Sequence, residues 1–244
     1  PGMAGAAALA SEAAYRSGAG LVYIACPSSV ADILSIKQTC AVVWPFGEKD
    51  AAARILEYAA RCDAAVIGPG LSRAFDKAVR EVVASIEIPF VLDADGLNAF
   101  EEFPDPLSRG RAPRVLTPHP GEAARLLGTT VAEIRKDRAR AAQQLAVRFR
   151  AVAVLKGHRT IITDGTRSTV NRTGNPGMAK GGTGDVLAGM IGALIGQKLE
   201  PYDAACLGVR VHGTAGDLAA RKLGETSLMA TDLLESLPAA FRKA

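Results

Sequence analysis

The sequence predicts one α/β domain built on a mostly parallel, doubly wound sheet with helices on both faces. Three observations predict it. Short apolar runs alternate with helical patterns along nearly all of the 244 residues, as repeated βα units do. The run AVAVLKG at 151–157 is apolar almost throughout, as a strand buried on both faces must be. Several strands end in glycine, aspartate, histidine or lysine, residue types that serve a ligand better than a core.

The elements follow in order. Residues 5–16 are Ala-rich and favour a helix, which Gly18 and Gly20 stop before a strand at 21–26. A helix at 30–36, a strand at 41–46 and a helix at 49–61 come next, the last with apolar spacing at Ile55, Tyr58, Ala59 and Cys62. The strand 64–68 runs into Pro69 and Gly70, and a helix at 73–86 leads to a strand at 89–95 and a short helix at 97–101. A strand at 115–117 ends in PHPGE, and the capping box Thr130-x-x-Glu133 announces a helix at 133–150. After the strand 151–157, residues 160–171 break at Asp164-Gly165 and read as a β-hairpin. Pro201 starts a long helix ending near Gly224, and 231–237 closes the chain. There is no internal repeat and no linker, so one domain spanning 1–244 is expected. A globule of this size buries roughly 70–75% of its unfolded surface.

Composition narrows the function. Hydrophobic residues at 48% and charged ones at 22% are globular values, and the mean hydropathy of +0.14 partly reflects alanine. A net charge of +4 suits a phosphate-bearing ligand, while the absence of basic runs and only 5% aromatics argue against nucleic acid. The four cysteines lack C-x-x-C spacing and read as reduced core residues, and three scattered histidines argue against zinc. No apolar run reaches the ~18 residues of a membrane span, and no signal peptide is recognisable, so the cytoplasm is the expected location.

The chemistry concentrates at 173–190, TGNPGMAKGGTGDVLAGM. Gly181, Gly182 and Gly184 let successive N–H groups converge on an anion at the positive end of an apolar helix expected from Val186 onward. Asp185 stands at the exit of that turn, where a carboxylate opposes simple anion binding and makes sense as a base; an N-cap is its structural alternative. Neither a Walker A motif nor G-x-G-x-x-G occurs. The ends at 68–70, 93–98, 117–122 and 156–157 should gather with this loop along one edge of the sheet.

The segments GMAGAAALASEAAYRSGAGLV, GPGL, DADGLN, TPHPGE, LKG and NPGMAKGGTGDVLAGMIGAL, in this order over nearly the whole chain, resemble the ADP/ATP-dependent NAD(P)H-hydrate dehydratases of the ribokinase-like superfamily. G-G-T-G-D alone would point only to the wider superfamily of kinases; TPHPGE together with NPGMAKGGTGD is far more restrictive. The resemblance implies a ribokinase-like three-layer α/β/α sandwich with a small β-hairpin. The family normally carries a strand and glycine turn just before the PGMAG segment, so that first strand is expected before residue 1. It also implies a repair reaction: dehydration of the S epimer of hydrated NADH or NADPH, driven by ADP and releasing AMP and phosphate. ADP over ATP follows the family's bacterial members. Asp185 would take the hydroxyl proton, and the N–H groups of Gly182, Thr183 and Gly184 would stabilise the phosphoryl charge.

Other positions carry over one by one. Lys156, Gly157, His158, Arg159 and Thr160 match the segment that receives the adenylate, though a lone lysine at a strand end is more often a solvated charge. His119 would line the hydrated-nicotinamide pocket, or form a rigid turn between two prolines. Glu122 occupies the place of an acid linked to Mg²⁺ through water, or is a first-turn carboxylate favoured by the helix dipole. Ala6 and Gly70 match positions touching the dinucleotide. Asp95 and Asn98 line the pocket or cap the helix at Leu97, and Asp217 is read as structural. A homotetramer and a separate or fused epimerase are further implications. The alternatives are a small-molecule kinase of the hydroxyethylthiazole or pyridoxine type, and a nucleotide sensor without turnover.

Overall fold

A computed structural model describes residues 3–244; Pro1 and Gly2 of the PGMAG segment lie outside the described residues. Alanine and the lack of β-branched residues make α1 (Ala4–Arg16) a helix, which Gly18 at φ +98° ends. Then come β1 (Tyr23–Pro27), α2 (Ala31–Lys37) and β2 (Val42–Phe46), and the two strands pair in parallel as a small sheet of their own.

The main sheet has six strands in consecutive order: β3 (Ala65–Ile67), β4 (Phe90–Leu92), β5 (Arg114–Leu116), β6 (Val152–Leu155), β7 (Ile161–Thr163) and β8 (Ser168–Val170). β3 to β6 run parallel, and β7 and β8 add the expected antiparallel hairpin. α3 (Ala51–Ala59) precedes β3, and α4 (Asp76–Ser85), α5 (Asp95–Asn98), α6 (Asp105–Arg109), α7 (Pro120–Leu127), α8 (Val131–Lys136) and α9 (Arg138–Phe149) connect the next strands. α10 (Thr183–Gly196), α11 (Pro201–Leu223) and α12 (Ala230–Phe241) close the chain.

Alternation along the strands divides the core into two layers. Phe90, Leu92, Leu116 and Leu155 pack with α4, α7 and α9, whereas Val91, Val115, Val152 and Val154 pack with α10 and α11. Each such side chain contributes roughly 1.5–3 kcal/mol on burial. α1 lies against α10 so closely that a Cβ at Gly189 would run into the Ala10 carbonyl.

Three local details depart from the sequence expectation. The helix expected at 133–150 is two helices. The Thr130 hydroxyl accepts from the Glu133 N–H (3.2 Å) and caps α8, then Asp137 leaves helical geometry and caps α9 by accepting from the Arg140 N–H (3.0 Å). α6 is not predicted, because it is short and starts beside a proline that reads as a turn; α7, which also starts at a proline, bears out the reading of Glu122 as a first-turn carboxylate. α10 starts at Thr183 rather than Val186, with Gly182 at φ +92° as its N-cap, so Asp185 is its third residue and makes no capping hydrogen bond.

Candidate active site

The C-terminal ends of β3 to β6 meet the start of α10. Asp93, just past β4 and 1% exposed, accepts at Oδ1 from Lys156 Nζ (2.6 Å) and from the Thr117 hydroxyl (2.7 Å). Lys156, just past β6, also lies 3.9 Å from Glu122 Oε2 in the first turn of α7. A Cβ built on Gly184 would stand 3.4 Å from Lys156 Nζ and 3.8 Å from Asp93 Oδ2, so the ammonium borders the first turn of α10. Between Asp93 and Asp95 the backbone kinks at Ala94 (φ 49°, ψ −120°), a conformation costing of order 1–3 kcal/mol for a residue with a Cβ. The kink lets Asp95 accept from the Ser72 N–H (2.8 Å), tying the β4 end to the β3 end.

This is one cation among three carboxylates. Burial pulls the Lys156 ammonium down, but Asp93 and Glu122 more than offset it, and its pKa ends above the ordinary value. Burial pushes Glu122 up to about 7, with Lys156 opposing and Asp93 adding to the rise. Burial likewise raises Asp185 to about 6, Asp93 adds to it, and Lys156 pulls the other way. A carboxylate poised near neutrality at a helix N-terminus can exchange a proton with a bound ligand.

The glycine turn is held by its own chain. The Thr183 hydroxyl donates within the loop, standing 3.0 Å from the Met178 carbonyl and 2.9 Å from that of Lys180. Lys180 points away, its ammonium donating to the Thr226 and Leu228 carbonyls at 2.6 and 2.7 Å. On the far side of the turn, a cavity of about 490 Å³ is lined by His158, Arg159 and the stretch 170–174. Gly157 at φ +135° and Arg159 at φ 54° shape that wall, and the Arg138 guanidinium fixes it by donating to the Leu155 (3.0 Å) and His158 carbonyls. Glycine turn, adjacent acid and cavity together suit a phosphorylated ligand.

A sequence model described as NAD(P)H-hydrate dehydratase matches residues 1–239. The chain belongs to the NAD(P)H-hydrate dehydratase family. The bifunctional NAD(P)H-hydrate repair enzyme Nnr of Moorella thermoacetica is 47% identical over 253 residues, covering 99% of this chain and 48% of that protein. An ADP-dependent (S)-NAD(P)H-hydrate dehydratase of Neisseria meningitidis is 46% identical over 139 residues, 56% of this chain and 47% of its own. The chain thus spans about half the length of the curated relatives it matches. The crystal structure of the ADP/ATP-dependent NAD(P)H-hydrate dehydratase from Bacillus subtilis, co-crystallised with ATP/Mg²⁺ and soaked with CoA, superposes with a TM-score of 0.83 at 33% identity, covering 99% of this chain and 87% of that one. The fold is ribokinase-like.

The site residues that the resemblance implies fall first in three places. Gly182, Thr183, Gly184 and Asp185 form the α10 entrance, with Lys156 beside them. Gly157, His158, Arg159 and Thr160 form the turn at the cavity, where the Thr160 hydroxyl donates back to the Gly157 carbonyl (3.0 Å). Ala6 and Gly70 face each other, a Cβ on Gly70 standing 3.3 Å from that of Ala6.

Four more do structural work. His119 caps α7: its Nδ1 accepts from the Gly121 (2.9 Å) and Glu122 (3.2 Å) N–H groups, while Glu122 Oε2 accepts from the His119 N–H (2.7 Å). Burial, with Lys156 and Arg125 nearby, holds the His119 pKa below its ordinary value. Asp95 Oδ1 accepts from Asn98 Nδ2 (3.4 Å), and Asn98 in turn accepts from Arg125 (2.9 Å). No group of three His, Cys, Asp or Glu able to hold a metal occurs among the described residues, and one Glu122 oxygen is already engaged. The donor set makes no cage of its own; a magnesium ion here would draw its ligands from phosphates and water.

The sequence places Asp93 and Thr117 among the strand ends expected along one edge but assigns them no individual role, and it gives Arg138 none. Asp93 had a signal, the Asp-x-Asp pair at a strand end; Arg138 had none, since a helix-start arginine is ordinarily solvated.

Proposed function

We propose that the chain catalyses ADP-dependent dehydration of the S epimer of hydrated NADH and NADPH. The observation that carries this is Asp185, uncapped in the first turn of α10, raised to about 6 and set beside both the glycine N–H groups and Lys156. Asp185 takes the proton of the ring hydroxyl as that oxygen attacks the terminal phosphorus of ADP, and AMP leaves. The N–H groups of Gly182, Thr183 and Gly184, together with the Lys156 ammonium, neutralise charge on the moving phosphoryl group. The ring nitrogen lone pair then expels phosphate with C–O cleavage, and the neighbouring ring carbon loses a proton to give the reduced nicotinamide.

In this reading AMP lies in the cavity beside Gly157, His158, Arg159 and Thr160. Ala6, Gly70, Asp95, Asn98 and His119 border the hydrated dinucleotide. Glu122 would hold Mg²⁺ through water, and the ion would supply positive charge to the nucleotide phosphates. A cytoplasmic tetramer working with an epimerase completes the proposal, on the family resemblance. The test is incubation with hydrated NADH and ADP while following the reduced-nicotinamide absorbance. Regenerated NADH with one AMP and one phosphate per turnover supports the reading; accumulation of a phosphorylated product replaces it with a kinase.

A further inference from the structure

α11 runs under the glycine-rich loop. Asp217 Oδ2 accepts from the Gly174 N–H (2.9 Å) and Oδ1 from Asn175 Nδ2 (3.1 Å), while Asn175 Oδ1 accepts from the Gly177 N–H (3.1 Å). Five residues earlier on the same helix, His212 Nε2 lies 2.9 Å from the Thr183 carbonyl, which can only accept, so Nε2 carries the hydrogen. Between these anchors the helix surface is cut down to glycine. A Cβ at Gly213 would collide with Thr173, and one at Gly216 would meet the Met178 side chain, with Cγ at 2.7 Å.

We infer that His212 and Asp217 are positioning residues that grip the two ends of the loop 174–183 and hold its N–H groups ready for the transferred phosphate. The inference rests on the proposed function, in which that loop receives phosphate. Neither side chain is placed to touch a ligand; both act through backbone groups. Asp217 sets where the loop begins, and His212 fixes the peptide between Thr183 and Gly184, whose N–H opens the helix. The carboxylate bonds are charge-assisted and ordered by a second hydrogen bond from Asn175.

The bond between Asn175 and Asp217 can be reversed, which gives the test. In Asp217→Asn an amide faces an amide; in Asn175→Asp two carboxylates face each other. In the double variant Asn175→Asp/Asp217→Asn, the new amide at 217 donates to the new carboxylate at 175, while its oxygen still accepts from the Gly174 N–H. Each single change should lower kcat/KM for ADP ten- to hundredfold, the size of a lost charged hydrogen bond, and the double should recover most of it. His212→Ala should lower kcat more than it raises KM, and His212→Gln, which keeps an N–H donor, should be milder. Amide hydrogen exchange over 174–184 and calorimetric ADP binding are read on the same proteins. Fast exchange and weak ADP binding in the singles, reversed in the double, support the inference even if the wild-type protein fails to regenerate NADH. Wild-type exchange and ADP affinity in the singles, or a double no better than either single, overturns it.

Discussion

Replacing Asp185 by asparagine should make the protein more stable and nearly inactive at once. Burial and Asp93 raise this carboxyl from an ordinary 3.8 to about 6, a difference of about two units, worth about 3 kcal/mol if the group were wholly enclosed. Asp185 is only partly buried, and solvent screening reduces that to about 1–2 kcal/mol. The folded state holds this proton more tightly than the unfolded chain does, so ionisation works against the fold. The cost appears as pH rises past the unfolded value near 3.8 and is complete above about 6. Asparagine removes it, so the gain should be full near neutrality and vanish toward the lower value. At roughly 2–4 °C per kcal/mol for a chain of this size, the variant should melt about 2–8 °C higher at neutral pH. Its kcat should fall by about 10²–10⁴ with ADP affinity preserved, while wild-type kcat should climb with pH through about 6 and then level off. Melting curves at two pH values, paired with turnover, check all of this. An equal gain at both pH values, or a kcat near wild type, would refute the argument for a desolvated base.

Other variants probe the surroundings. Lys156→Met leaves Asp93 buried without its cation and should cost about 3–5 kcal/mol, read by urea unfolding. His119→Ala removes the α7 cap, and a loss of about 1 kcal/mol in the same assay is expected. Ala94→Gly relieves the kink between the aspartates and should stabilise by roughly 1 kcal/mol after the glycine's greater freedom in the unfolded chain is deducted; a loss instead would mean the kink is unstrained.

Periodicity and turn residues made the layered fold legible, because the stretches 64–67, 90–92 and 151–155 are apolar on both faces and leave no other burial geometry. The glycine turn itself was equally legible, since Gly181, Gly182 and Gly184 interrupt regular structure just ahead of an apolar helical run. Directions of side chains were not. His119 reads as a pocket residue or a turn, yet which way its ring swings depends on Glu122 three positions on. Lys156 follows a strand as any solvated lysine does; that it turns inward is set by Asp93, sixty-three residues earlier. Asp137 breaks a helix that propensity alone would continue, because its side chain captures the Arg140 N–H.

The close fit of α1 on α10 also sets a timetable for synthesis. The Gln197 side chain donates to the Ser17 carbonyl across 180 residues of chain, and α1 buries its alanines against a helix made that much later. At about 5–20 residues per second, the first helix waits on the order of 10–35 s for its partner to emerge from the ribosome. What it exposes meanwhile is mostly methyl groups, with Leu9 its one large aliphatic side chain, a surface small enough to remain in water without seeding aggregates.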